Sequence, residues 1–104
     1  MKSKELVEAY YQSWIDSNKE KARSFLADDL KFHSPQDQFK SADDFINTCW
    51  GLSESFDSMQ VLHTVYDEDG AYIVYKGENF CCGELLKIKN GKIQEIYVTF
   101  NPTR

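Results

Sequence analysis

One acid among the 104 residues is placed where a carboxyl group can do chemistry. Glu84 lies in the run Asn79-Phe80-Cys81-Cys82-Gly83-Glu84-Leu85-Leu86-Lys87-Ile88-Lys89. Side chains on a strand alternate between two faces. That alternation puts Phe80, Cys82, Glu84, Leu86 and Ile88 on one face. Cys81, Gly83, Leu85, Lys87 and Lys89 take the other. The acid therefore shares the apolar, lysine-free face. An ionised carboxylate in apolar surroundings is costly unless paired, so its pKa rises. A neutral carboxylic acid can then donate a hydrogen bond to a carbonyl or hydroxyl held in a pocket.

The histidines are the candidate general bases, because imidazole titrates near neutral pH. His63 shares a face with Val61 and Val65 in Gln60-Val61-Leu62-His63-Thr64-Val65-Tyr66, so it is preferred as the base. His33 precedes Ser34 and faces the other way on an ideal strand, unless a bulge at Pro35 re-aims it. Either histidine can equally be an ordinary packed sheet residue. Two histidines far apart, with no acid at ligand spacing, do not make a metal site. Cys49, Cys81 and Cys82 match no zinc spacing and read as small buried thiols in a reducing compartment. The acidic turn Asp67-Glu68-Asp69-Gly70 offers too few ligands for calcium. There is no glycine-rich phosphate loop and no Gly-x-Ser-x-Gly elbow. Neither a metal nor another cofactor is expected.

The chain is of single-domain length. It is 41% hydrophobic and 14% aromatic, with a net charge of -5. No Lys/Arg cluster interleaves with aromatics, so nucleic acid is not an expected partner. No apolar run approaches a membrane span of roughly 20 residues, and no signal-peptide core opens the chain. A cytoplasmic location is the expectation.

Leu6, Val7, Tyr10, Tyr11 and Trp14 recur at helical spacing, which predicts a helix over Ser3 to Ser17. Ser17-Asn18-Lys19-Glu20 has the form of a capping box. It opens a short second helix, with Ala22, Phe25 and Leu26 inward, that closes at Ala27-Asp28-Asp29. Leu30 to Ser34 reads as a short strand stopped by Pro35, and Gln36 to Lys40 as a polar loop. Ser41-Ala42-Asp43-Asp44 caps a third helix with Phe45, Ile46, Cys49, Trp50 and Ser53 inward. Strands follow at about Met59 to Tyr66, Ala71 to Lys76, Asn79 to Lys89 and Lys92 to Phe100. Asn90-Gly91 forms the clearest hairpin turn. Helices first and an antiparallel meander second predict an α+β fold with the helices on one face of the sheet.

This order resembles the nuclear transport factor 2-like superfamily, and within it the SnoaL-like and ketosteroid isomerase-like branch. The resemblance is carried by Phe25-Leu26-Ala27-Asp28-Asp29 running into a strand that ends at Ser34-Pro35, by the Ser41-capped helix, and by the Asn90-Gly91-Lys92-Ile93 turn. It covers essentially the whole chain. It implies a single domain with a cone-shaped, curved, mixed sheet, often dimeric and often holding an apolar pocket. In ketosteroid isomerase a tyrosine and a neutral acid stabilise an oxyanion while a second acid is the base. By that resemblance the tyrosine falls on Tyr10, the neutral acid on Glu84 and the base on Ser34. A serine without a partner cannot take a carbon-bound proton near neutral pH.

The expected function is the binding of a small, largely apolar or carbonyl-containing molecule. Trp14, Phe32, Ser34, Trp50, Phe80, Cys82, Val98 and Phe100 would line the site. One alternative is an isomerase, cyclase or dehydratase with Tyr10 and Glu84 as oxyanion donors and His63 or His33 as base. Another is a protein-interaction module using the exposed sheet. The mixed face carrying Ile93, Glu95, Tyr97 and Thr99, with Tyr75 or Leu85, is expected to bury against a second copy in a homodimer.

Overall fold

The computed structural model describes residues 2–51, 59–77 and 80–102, apart from the side chains at 80 and 100–102. Helix α1 spans Ser3–Ile15, α2 Lys19–Ser24 and α3 Ala42–Cys49. The strands are β1 Leu26–His33, β2 Gln38–Phe39, β3 Gln60–Asp67, β4 Gly70–Lys76, β5 Phe80–Lys89 and β6 Lys92–Pro102. They form one sheet in the order β2-β1-β6-β5-β4-β3. Only the β1–β6 pairing is parallel; the others are antiparallel. The expected α+β architecture is present, with helices on one face of a mixed sheet. None of the described helices is long and apolar enough to cross a membrane.

Local chemistry sets the element ends. The Ser41 side chain accepts from the Asp44 amide and opens α3, as expected. The cap of α2 is Asn18 rather than Ser17: the Asn18 side chain accepts from the Lys21 amide. Ser17 takes a left-handed φ of 56° and ends the preceding turn. Asn90 and Gly91 both have positive φ, 55° and 76°, which suits the two-residue hairpin between β5 and β6.

Two expected boundaries move. Ala27-Asp28-Asp29 belongs to β1, which starts at Leu26, because the parallel pairing of Leu26 with Ile93 captures the chain earlier than Leu30. The loop at Gln36 to Lys40 contains β2, whose Phe39 packs at a tilt against Phe32 across the pair. Ser53 of the expected α3 stripe lies outside the described residues.

The core lies between the helices and the inner sheet face. Leu6 and Val7 of α1, Leu30 of β1, Leu86 of β5 and Ile93 and Ile96 of β6 are fully enclosed there. A register shift opposite Lys87 and Ile88 pairs Ile88 with Ile93, leaving Gln94 as the extra residue. Ile93 consequently turns inward and is buried, correcting its expected place on the outer face beside Glu95. The sequence displaced from the ladder, Gln94, instead donates to Asp29.

At the mouth of the β3–β4 hairpin, backbone packs against backbone. A β-carbon on Gly70 would lie 2.0 Å from the Leu86 carbonyl oxygen. Gly70→Ala should therefore force β4 from β5 and cost at least about 2 kcal/mol. A urea denaturation midpoint unchanged from the wild type would show that the strands do not meet so closely.

Candidate functional site

Glu84 falls on the inner face, as strand alternation requires, and is only 7% exposed. Its cross-strand neighbours are Ile73 on β4 and Val98 on β6. Cys82 and Leu86 precede and follow it on the same face, both buried. Two hydroxyl groups reach the carboxylate. Tyr11 Oη, from α1, donates to Oε1 at 3.0 Å. Tyr75 Oη, from β4, donates to Oε2. Each carboxylate oxygen thus has its own tyrosine, and the two tyrosines come from different elements. No ion pair at Glu84 occurs among the described residues.

Burial pushes the Glu84 carboxyl above the ordinary glutamate range, and the two tyrosine hydrogen bonds pull in the opposite direction. Burial also raises Tyr10, Tyr11 and Tyr75, each further by the nearby Glu84 charge. The tyrosines therefore remain protonated and able to donate. Cys49, half-buried, is pushed up to about 11, first by burial and then by Asp37 and Glu84. It is a thiol rather than a nucleophilic thiolate at neutral pH.

The predicted site residues separate into those the fold gathers and those it scatters. Tyr10 is buried beside Glu84, but its ring packs edge-on against Tyr11 at 5.3 Å and Trp14 at 6.3 Å. Tyr11 and Tyr75, rather than Tyr10, hold the acid. Tyr11 follows Tyr10 on the same buried helix face, so either tyrosine fitted the helical pattern. Tyr75 was expected on the outer sheet face. Its pairing with Cys82 places it inside, one step along from Glu84. The parity of Ala71, Ile73 and Tyr75 on β4 is the signal that identifies it.

Trp14 and Trp50 pack at a tilt with ring centroids 4.5 Å apart, and Phe32 stacks on Phe45 at 4.4 Å. These aromatics pack against one another in the interior. Cys82 and Val98 lie on the Glu84 face. The side chains of Phe80 and Phe100 lie outside those described. Ser34 is engaged in its own turn: its Oγ accepts from the Gln36 and Asp37 amides and donates to the Asp37 carbonyl.

Neither histidine joins the cluster. A bulge between Val61 and His63 turns Val61 toward the Tyr75 side and leaves His63 opposite Val74, on the outer face. His63 is exposed there, with the sheet between it and Glu84. His33 pairs with Tyr97, also on the outer face, and its ring stacks on Tyr97 at 4.5 Å. The described residues contain no group of three or more His, Cys, Asp or Glu suited to a metal ion. A groove of about 440 Å³ borders Val65, Tyr72 and Leu85 on the outer face, and another of about 520 Å³ borders Arg23 and Lys92. Neither borders Glu84.

No family model and no curated protein matches the chain. Solved structures do. A crystal structure from Kribbella flavida DSM 17836 superposes with a TM-score of 0.85 at 22% identity, covering 93% of this chain and 84% of that one. An NTF2-like protein of unknown function from Cytophaga hutchinsonii ATCC 33406 gives 0.81 at 14% identity, over 97% and 91%. A candidate ketosteroid isomerase, also from Kribbella flavida, gives 0.79 at 13% identity, over 98% and 79%. The chain has the nuclear transport factor 2-like fold that its sequence resembles. Identities this low define the fold, and a fold hosts many activities.

The raised acid has a defined effect on stability. Its folded pKa lies above its unfolded value, near about 4.3. Between those two values the native state binds more protons than the unfolded state, so stability falls as pH rises. The loss is at most about 1.4 kcal/mol per pH unit and levels off above the folded pKa. Urea midpoints for the wild type and Glu84→Gln should show the wild type losing ground as pH rises through that window. A difference that is constant with pH, or that grows in favour of the wild type, would contradict the raised value.

Proposed function

We propose that this chain binds a small, largely apolar molecule that carries one carbonyl or hydroxyl group, admitted to the buried Glu84–Tyr11–Tyr75 cluster by displacement of the aromatic side chains packed beside it. The observation that carries this reading is a buried acid whose observed partners are two tyrosine hydroxyls, on an otherwise apolar sheet face. Desolvating a carboxylate costs several kcal/mol, roughly, a cost that a leucine at the same position would not incur. Once protonated, Glu84 donates to one tyrosine oxygen. That tyrosine then directs its own proton to an oxygen of the bound molecule. The cluster is neutral in this state, and every proton stays on its own oxygen.

Binding is favoured over isomerisation, cyclisation or dehydration. A general base must come within hydrogen-bond reach of the proton it takes, directly or through one water. Both imidazoles are on the far side of the sheet, and the Ser34 hydroxyl is committed to its turn. The Kribbella isomerase candidate shares the fold, which is consistent with a carbonyl ligand but supplies no base here.

Native mass spectrometry of the freshly purified chain should reveal a retained small molecule, or a site that accepts 2-naphthol, followed by tryptophan fluorescence. Tyr75→Phe should weaken 2-naphthol at least tenfold, about 1.4 kcal/mol, and leave naphthalene unaffected. Failure to retain or bind either compound would overturn the proposal, as would equal weakening of both.

A further inference from the structure

The sheet ends in two edge strands of unequal length. β2 at one end has two residues, whereas β3 at the other has eight. Among the described residues, β3 pairs with β4 alone. Alternate residues of a strand direct their N–H and C=O groups toward one neighbour and then the other. Half of the backbone groups of β3 therefore point away from the sheet. An edge of that kind is a template for a further strand.

Edge strands are ordinarily protected by Lys, Pro, inward charges or a covering element. Gln60-Val61-Leu62-His63-Thr64-Val65-Tyr66 contains no Lys, Arg, Asp, Glu or Pro. Val61 is 47% exposed, Leu62 48% and Val65 52%. Three of the seven strongly exposed large hydrophobics among the described residues thus sit on this one strand. The bulge between Val61 and His63 interrupts the ladder. Beyond it, His63 to Asp67 stay in unbroken register with β4. Tyr66 packs against the core from the inner face, which holds this stretch extended. At about 3.4 Å per residue the regular edge is roughly 17 Å long, enough for a peptide of about five residues.

Charge gives the occupant a direction. β3 runs into Asp67-Glu68-Asp69, three consecutive exposed acids. β3, β4, β5 and β6 are antiparallel to their neighbours, and a strand added in the same sense runs opposite to β3. Its N-terminal end then lies beside the acids and its C-terminal end beside His63. Basic residues at the N-terminal end complement the acidic turn. Apolar residues at every second position continue the face that carries Val65.

We infer that the edge of β3 from His63 to Asp67 binds an extended peptide segment of a partner protein. The segment runs antiparallel to β3, with basic residues at its N-terminal end followed by alternating apolar residues. Backbone hydrogen bonds hold it, and the acidic turn sets its direction. The edge is two strands away from β5, which carries Glu84, so this surface and the proposed ligand site succeed or fail separately.

The probe is a synthetic peptide, Lys-Lys-Val-Thr-Val-Thr-Val, with fluorescein at its C-terminal end. The full chain is titrated into it and followed by fluorescence anisotropy and by amide NMR shifts. Binding should saturate and shift the amides of His63 to Asp67 more than those of β1 and β6. N-methylation of every second peptide amide should abolish binding in one parity and leave it unchanged in the other, because only one edge of the peptide faces β3. Glu68→Lys, at an exposed side chain, should weaken the peptide about threefold, and moving both lysines to its C-terminal end should do the same. No saturable binding, or N-methylation whose effect is independent of parity, would overturn the inference. Unchanged binding by both Glu68→Lys and the lysine-shifted peptide would overturn the antiparallel direction. Shifts of the β3 amides that follow chain concentration without peptide would overturn it in favour of a second copy at the edge.

Discussion

The carboxyl group of Glu84 is the constraint on which the rest of the inner face depends. A carboxylate removed from water needs partners, and here the observed partners are tyrosine hydroxyls. Tyr11 belongs to α1 and Tyr75 to β4, so satisfying the acid fixes the depth and rotation of the helix over the sheet. Tyr10 and Trp14 then have one place to pack, edge-on to Tyr11 and against Trp50 and Phe45. Hydrogen bonds to a charged group contribute about 1.5–3 kcal/mol each, comparable with what desolvation takes away. Burial favours the neutral acid and the two tyrosine hydrogen bonds favour the charged one, with burial the larger effect.

One period-two pattern separates the two sheet faces. Inward residues on β4, β5 and β6 give an apolar wall interrupted by one acid. Outward residues on the same strands include the exposed Tyr72, Leu85 and Tyr97. The bulge at Gln94 is what keeps both patterns in phase, since it lets Ile93 and Ile96 both face inward with Glu95 and Tyr97 outward. Fold and chemistry are separable here. The helices and strands are shared with solved structures at 13–22% identity, while function rests on side chains that fold similarity does not specify.

Much of this was legible in the residues. The Ser41 cap and the Asn90-Gly91 turn announce themselves through local hydrogen bonding and left-handed backbone. The face of Glu84 follows from alternation alone, because β5 is regular from Cys81 to Lys87. The remainder depends on register, which no local pattern encodes. Val61, His63 and Val65 alternate as if they shared a face, yet the bulge between Val61 and His63 separates Val61 from the other two. Tyr75 looked external until its pairing with Cys82 placed it beside the acid. Tyr10 and Tyr11 are neighbours on one buried helical face, and only the height of α1 over the sheet decides which hydroxyl arrives. The start of β1 at Leu26 likewise follows from a partner 67 residues away in sequence, Ile93.

Carboxyl-carbon NMR through an acid titration of the folded chain reads the protonation of Glu84 directly. Burial outweighing two tyrosine donors predicts a Glu84 resonance that titrates above the other glutamates, with Tyr75→Phe moving it higher still. A Glu84 carboxyl that titrates with the surface acids or below them would contradict a buried carboxyl whose pKa burial raises.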